Sequence, residues 1–281
     1  MEKSANKYRL HAINILQKQV SLYKFWGIGI FIVMAAAFAI SSLILVNALK
    51  YTETNIVMVK KQPLLLPIMV NAVLISLYLA LLSSANVSRE YDKGIIELLM
   101  YGPVDEASFI IGNFLAYLKI FILSLVTALV WSNLCIWLLN LTFHWNILAL
   151  FLASIFMAAQ LISLGLLTAT WGGKTRSALV YFVLITLFLA SIKIADTIVV
   201  GLVQVNSSTI NDPLLIVRDV LAFINSIIRW ISPYSLLQNA MNAVLDQTPG
   251  VYLLSMGIMF TEMLIMLFSN ILALKKKGAR G

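Results

Sequence analysis

From Ile120 to Gly173 the chain carries no Asp, Glu, Lys or Arg. A helix crossing the hydrocarbon of a bilayer needs about 20 apolar residues, so this run is too long for one crossing. It holds the end of one span and the whole of the next. The break falls at Asn140–Asn146, "NLTFHWN". This places a third span at about 107–139 and a fourth at about 147–171. The same reading gives Phe25–Leu49, charge-free between Lys24 and Lys50, and Gln62–Ser88, charge-free between Lys61 and Arg89. Two more follow at about 177–203 and about 251–274, the last closed by Lys275, Lys276 and Lys277. The expected fold class is an all-α polytopic membrane protein: six transmembrane helices in a single membrane domain over residues 1–281. Composition agrees. Hydrophobic residues make up 61% and charged residues 11%, where soluble domains carry about 25% charged.

Six spans put both termini on one side. With the N-terminus inside, thirteen Lys and Arg fall in inner segments and five in outer ones. The bias predicts cytoplasmic N- and C-termini in a cell (plasma) membrane. The net charge of +8 then reflects residues flanking spans, not nucleic-acid binding. The first apolar run follows a basic segment and is too long for the apolar core of a signal peptide, so no cleavable leader is expected. Residues 1–24 place Leu10, Ile13, Leu16, Gln17 and Val20 at helical spacing, with Lys and Arg opposite, which predicts an interfacial helix on the inner leaflet. The outer segment 204–250 is expected to hold short helices starting at Asp212–Pro213 and Ser232–Pro233, each a cap residue followed by Pro, and to dip into or lie on the outer face.

One inner connection stands apart. Ser88–Glu106, "SREYDKGIIELLMYGPVDE", carries seven charges in nineteen residues. As a helix over 88–103 it puts Tyr91, Ile95, Leu98 and Leu99 on one face, and Glu90, Lys93 and Glu97 on another at ion-pair spacing. Gly102–Pro103 stops it, and Asp105 caps the third span. A helix resting on anionic headgroups needs no acidic residues, whereas mixed charge suits docking into a protein groove.

The stretch "SREYDKGIIELLMYGPVDEASFIIGN" resembles the signature region of type-2 ABC transporter permeases. The matching positions are Glu90, Gly94, Glu97, Leu98, Leu99, Pro103, Val104 and Gly112. Ile95, Asp105 and Asn113 depart from the family pattern. The resemblance implies a membrane-spanning permease subunit of an ATP-driven exporter, acting as a homodimer or heterodimer. Residues 88–103 would be the coupling helix that docks in a separate ABC ATPase subunit through Arg89, Glu90, Tyr91, Lys93, Gly94, Glu97, Leu98, Leu99 and Pro103. ATP would bind on that partner and no cofactor on this chain.

The chain itself has no phosphate-binding loop. Gly173–Lys174–Thr175 offers the end of one, but Thr168 stands where its first Gly belongs. No catalytic motif appears, His11 and His144 are far apart, and no metal site is expected. The charges inside spans are the other candidates for function. A charge at mid-span costs roughly 2.5–3.5 kcal/mol on insertion scales. Lys193 and Asp196 are spaced to pair with each other, and Lys119 and Glu262 can pair if their spans are neighbours. These four residues either pair structurally or line a path. Two other classes stay open: a non-transporting scaffold or immunity-type protein, and an ion-coupled carrier using Lys119, Lys193, Asp196 and Glu262.

Overall fold

The computed structural model describes residues 10–18, 28–50, 62–100, 104–205, 220, 223, 224, 226 and 228–278. Among them every regular element is helical. In chain order these are α1 (residues 10–18), α2 (Ile28–Lys50), α3 (Leu65–Asp92), α4 (Ile95–Met100), α5 (Glu106–Leu138), α6 (Asn146–Gly172), α7 (Thr175–Val205), α8 (Pro233–Leu245) and α9 (Pro249–Gly278). The described part of 220–228 is helical as well.

Five helices, α2, α3, α5, α6 and α9, are long and apolar enough to cross a membrane. The third and fourth expected spans coincide with α5 and α6 within a residue or two, and the chain turns at 139–145. The fifth expected span, 177–203, lies within the 31-residue α7, whose described apolar stretch is Thr175–Ser191. Proline punctuates where it can be tolerated: Pro233 and Pro249 each open a helix, and Pro67 sits in the first turn of α3.

The polarity of the bundle is inverted relative to a soluble domain. Large apolar side chains such as Leu43, Leu123, Leu187, Phe188, Ile265 and Phe268 face outward, while Ser84, Gln160, Thr168, Thr170 and Asn270 are fully buried. Lipid offers an apolar surface a good solvent and a polar group none, so polar side chains turn inward and serve as interhelical contacts. The chain is therefore a multi-pass membrane protein.

Helix α6 is the axis. It packs parallel to α3, with Ala80 beside Gly165 and Ser84 Oγ 3.0 Å from Thr168 Oγ1. Close approach there depends on Gly165, because a Cβ at that position would collide with the Ala80 carbonyl oxygen and the Ser83 hydroxyl. On another side α6 runs parallel to α9 in constant register. Tyr252 donates to Ala149 O at 2.8 Å, Ser163 to Met266 Sδ at 3.5 Å, and Thr170 to Asn270 Oδ1 at 2.8 Å. Helix α2 packs on α3, with Ser41 donating to Pro67 O at 3.0 Å. The N-terminal α1 does not rest on lipid alone: Leu16 packs over Gly112 near the start of α5.

Candidate functional site

Two places gather polar chemistry: the charged turn after α3, and a cluster halfway along α6.

The sequence predicts one helix over 88–103. The structure corrects this. Arg89, Glu90, Tyr91 and Asp92 continue α3, and a separate six-residue helix, α4, follows a break at Lys93–Gly94. The cause is local. Gly94 adopts φ +66°, and its N–H bonds to Tyr91 O at 3.0 Å, which closes the α3 terminus in a left-handed turn. The expected faces are redistributed accordingly. Ile96 is buried, and Tyr91 and Leu99 pack against the core, while Ile95 and Leu98 point away from it, Leu98 with 71% of its surface exposed. Arg89 and Lys93 are exposed and Glu90 is half-buried. The side chain of Glu97 and all of Pro103 lie outside the described residues. Asp105 caps α5 as expected, accepting from Ser108 N at 3.2 Å.

A link the sequence reading missed ties this turn to its neighbour. The carboxylate Oδ2 of Asp92 accepts from Thr175 N at 2.8 Å and from Thr175 Oγ1 at 2.5 Å. Thr175 is the first residue of α7, so Asp92 caps that helix from another one. Asp92 belongs to the charged last turn of α3, beyond its apolar length. The Thr175 hydroxyl first, then the Thr175 amide, hold its carboxyl below the usual carboxylate range. No pairwise spacing rule joins positions so far apart in sequence, so only the fold reveals the contact.

Gly94 has open space where a Cβ would go, so replacing it meets no steric wall. Its cost is backbone conformation alone, about 1–2 kcal/mol for an L-residue in the left-handed region. Gly94→Ala is expected to leave the bundle melting almost as wild type while raising protease cleavage within 93–100. Unchanged cleavage would mean the left-handed turn is dispensable.

The second cluster lies deeper. Gln160 is about 21 Å along α6 from its start, near mid-membrane. Its Nε2 donates to Glu262 Oε2 on α9 and to Ile231 O at 3.4 Å. Ile231 therefore sits at mid-depth. From there α8 climbs for 13 residues, about 20 Å, to the start of α9. It is a half-length helix that runs antiparallel to the first half of α9. Its buried face carries Ser232, Ser235 and Asn239. The hydroxyls of Ser232 and Ser235, Asn239 Nδ2 and Gln160 Oε1 are all buried without a hydrogen-bond partner. Each such group costs about 1–3 kcal/mol if left so. Arg229 donates from Nε to Asn239 Oδ1 at 3.0 Å and lies 5.9 Å from the Trp230 ring.

The structure does not join the intramembrane charges into one constellation. Glu262 meets Gln160, not Lys119. Tyr117 OH accepts from Asn86 Nδ2 at 2.9 Å, which sets this part of α5 level with the C-terminal end of α3. Lys119, exposed and two residues on, is about 8 Å from the level of Arg89, within reach of headgroups along its own stem. Lys193 and Asp196 are on α7, but their side chains lie outside the described residues. Among the described residues no three His, Cys, Asp or Glu side chains converge. Neither a family model nor a curated protein matches the chain.

Proposed function

We propose that this chain is the membrane-spanning permease subunit of an ATP-driven ABC exporter. In this reading it crosses the plasma membrane six times with both termini in the cytoplasm. It works as a dimer and is driven by a separate ATPase subunit that grips the α3–α4 turn.

The observation that carries the proposal is the form of that turn. A short helix, seated on the bundle through Ile96 and Leu99 and set off from α3 by a left-handed glycine, turns Ile95 and Leu98 outward beside exposed Arg89 and Lys93. An apolar knob ringed by charges of both signs fits a protein cleft better than an anionic leaflet. The resemblance of 88–113 to the permease signature supports the same reading. The sixth span has support from topology: α6 and α9 run parallel, so the chain must cross the bundle between Gly172 and Pro249, and α7 is the long helix in that interval.

The test is capture of an ABC ATPase from the native cell extract by the purified chain. Wild type is expected to retain it in detergent. Glu90→Lys, or deletion of residues 94–99, is expected to lower capture at least tenfold while membrane insertion persists. Undiminished capture overturns the coupling role. Labelling of Lys93 from outside intact cells, with none from inside, overturns the orientation and the grip together. A non-transporting scaffold gives no reason for the mixed-charge knob. An ion-coupled relay through Lys119 and Glu262 lacks the contact it needs; ATP-independent, gradient-driven uptake in vesicles would restore it.

A further inference from the structure

Helices α2 and α5 both pack on α3 but do not close on each other along their length. They meet where the Phe38 and Trp131 rings stack, 6.0 Å between centroids. From that contact toward the level of Tyr117 and the C-terminal end of α3 they part, leaving a groove of about 130 Å³. Ile30, Phe31 and Met34 line it from α2, and Ile120, Leu123 and Thr127 from α5. The hydroxyls in the lining are spent on their own helix: Ser124 donates to Phe121 O at 2.7 Å and Thr127 to Ser124 O at 2.6 Å. The groove therefore offers water no partner and presents carbon to an apolar chain. Lys119 stands at its end, one turn before Leu123 on α5. It is exposed, and no acceptor among the described residues meets it.

We propose that the α2–α5 groove binds one anionic phospholipid, with Lys119 holding its phosphate and one acyl chain lying along the groove toward Phe38 and Trp131.

Three observations converge on this occupant. The first is charge. A lysine on a membrane-spanning helix is costly unless its head reaches an anion, and its long stem lets it do so at the interface. A zwitterionic lipid carries its own cation beside the phosphate, whereas an anionic one leaves the phosphate to Lys119. The second is length. Lys119 and Trp131 are about 18 Å apart along α5. One leaflet's hydrocarbon is about 15 Å deep, half of the roughly 30 Å core. One lipid can therefore meet the lysine with its headgroup and fill the groove with its chain. The third is shape. The slot lies between two helices and is closed at one end by stacked rings, so a chain within it loses contact with bulk lipid on two sides. Ordinary boundary lipid, held at neither end, exchanges without regard to headgroup. The site requires only that the chain spans a membrane and is independent of the ATPase reading.

The test uses the full chain in mild detergent, titrated with phosphatidylglycerol, with phosphatidylcholine of identical acyl chains, and with oleate. Native mass spectrometry counts the lipids retained per chain, and thermal unfolding is followed alongside. The expected result is one phosphatidylglycerol retained per chain under activation that strips phosphatidylcholine, with a melting temperature that rises for the first lipid only. Lys119→Gln is expected to cut the preference about fivefold, the worth of one basic residue at an anionic surface, and Lys119→Arg to restore it. Lys174→Gln, in the α6–α7 turn, is the control and should leave the preference intact. Thr127→Trp fills the groove and should reduce phosphatidylglycerol retention to that of phosphatidylcholine. Equal retention of the two phospholipids by wild type overturns the site, as does a preference that Lys119→Gln leaves intact or that Lys174→Gln removes equally. Preferential retention of oleate overturns the phospholipid assignment. Should Thr127→Trp fail to fold, the Lys119 variants decide on their own.

Discussion

Gly165→Val is expected to disrupt the bundle more than any other single substitution in its core. Gly165 sits on α6 where α3 comes closest, and a Cβ there meets the Ala80 carbonyl oxygen and the Ser83 hydroxyl. A backbone oxygen cannot rotate aside as a side-chain tip can. Ser83 is itself bonded to Ala80 O at 2.7 Å, and Thr168 to Gly165 O at 2.8 Å, so relief would break both. The Ser84–Thr168 contact one turn away would separate with them. Between membrane helices the favourable terms are close packing and such polar contacts, both of which fall steeply with distance. Overpacking in a tight core costs roughly 1–3 kcal/mol, occasionally more, and this site belongs at the upper end. Gly257→Val on α9 is the control, since nothing lies within 4 Å of a Cβ there. Thermal unfolding in detergent is expected to drop by several degrees for the first and to be nearly unchanged for the second. Equal melting of the two variants would refute the close approach of α3 and α6.

What could be read from the sequence follows the range of the interactions involved. The boundaries of α5 and α6 are local: a charge-free run ends where polar residues begin, and Asp105 and the Asn140–Asn146 break signal themselves. The start of α8 at Ser232–Pro233 is equally local. The break at Gly94 was a local signal read wrongly. A glycine between charged residues at a helix end is a candidate left-handed terminus, yet the apolar spacing across it favoured one continuous helix. Gln160 carried no sequence signal beyond being a lone amide in an apolar run. Its role depends on α6, α8 and α9 meeting, which periodicity does not encode. The same limit explains Lys119. Counting residues put it inside a span, and it lies on α5, but the 33-residue α5 begins beyond the C-terminal end of α3, and only the Tyr117–Asn86 contact fixes that offset.

Asp92→Ala is expected to separate grip from motion. In the proposed exporter, a push on α4 reaches the bundle through the buried Ile96, the core-packed Leu99 and whatever holds the end of α3. Asp92, two residues before Gly94, is bonded to the first residue of α7 through both its amide and its hydroxyl. A displacement of α3 is thus delivered to α7 at the same time. Removing the carboxylate leaves Ile95, Leu98, Arg89 and Glu90 in place, so in the proposed exporter capture of the ATPase should persist while ATP-dependent transport falls. Hydrogen exchange at residues 175–178 should quicken, because the leading amide of α7 loses its acceptor. Thr175→Val keeps the amide and should give a milder phenotype, and in the double variant the two effects should not add. The pH dependence has a definite sign. The folded carboxyl lies below its unfolded value, so the link contributes fully above the ordinary Asp value of about 3.9 and is lost as pH falls through the lowered one. The melting difference between wild type and Asp92→Ala should therefore be constant from neutral pH to mild acid and close only below that point. Transport unimpaired in Asp92→Ala, with exchange at 175–178 unchanged, would show that α7 moves independently of the turn.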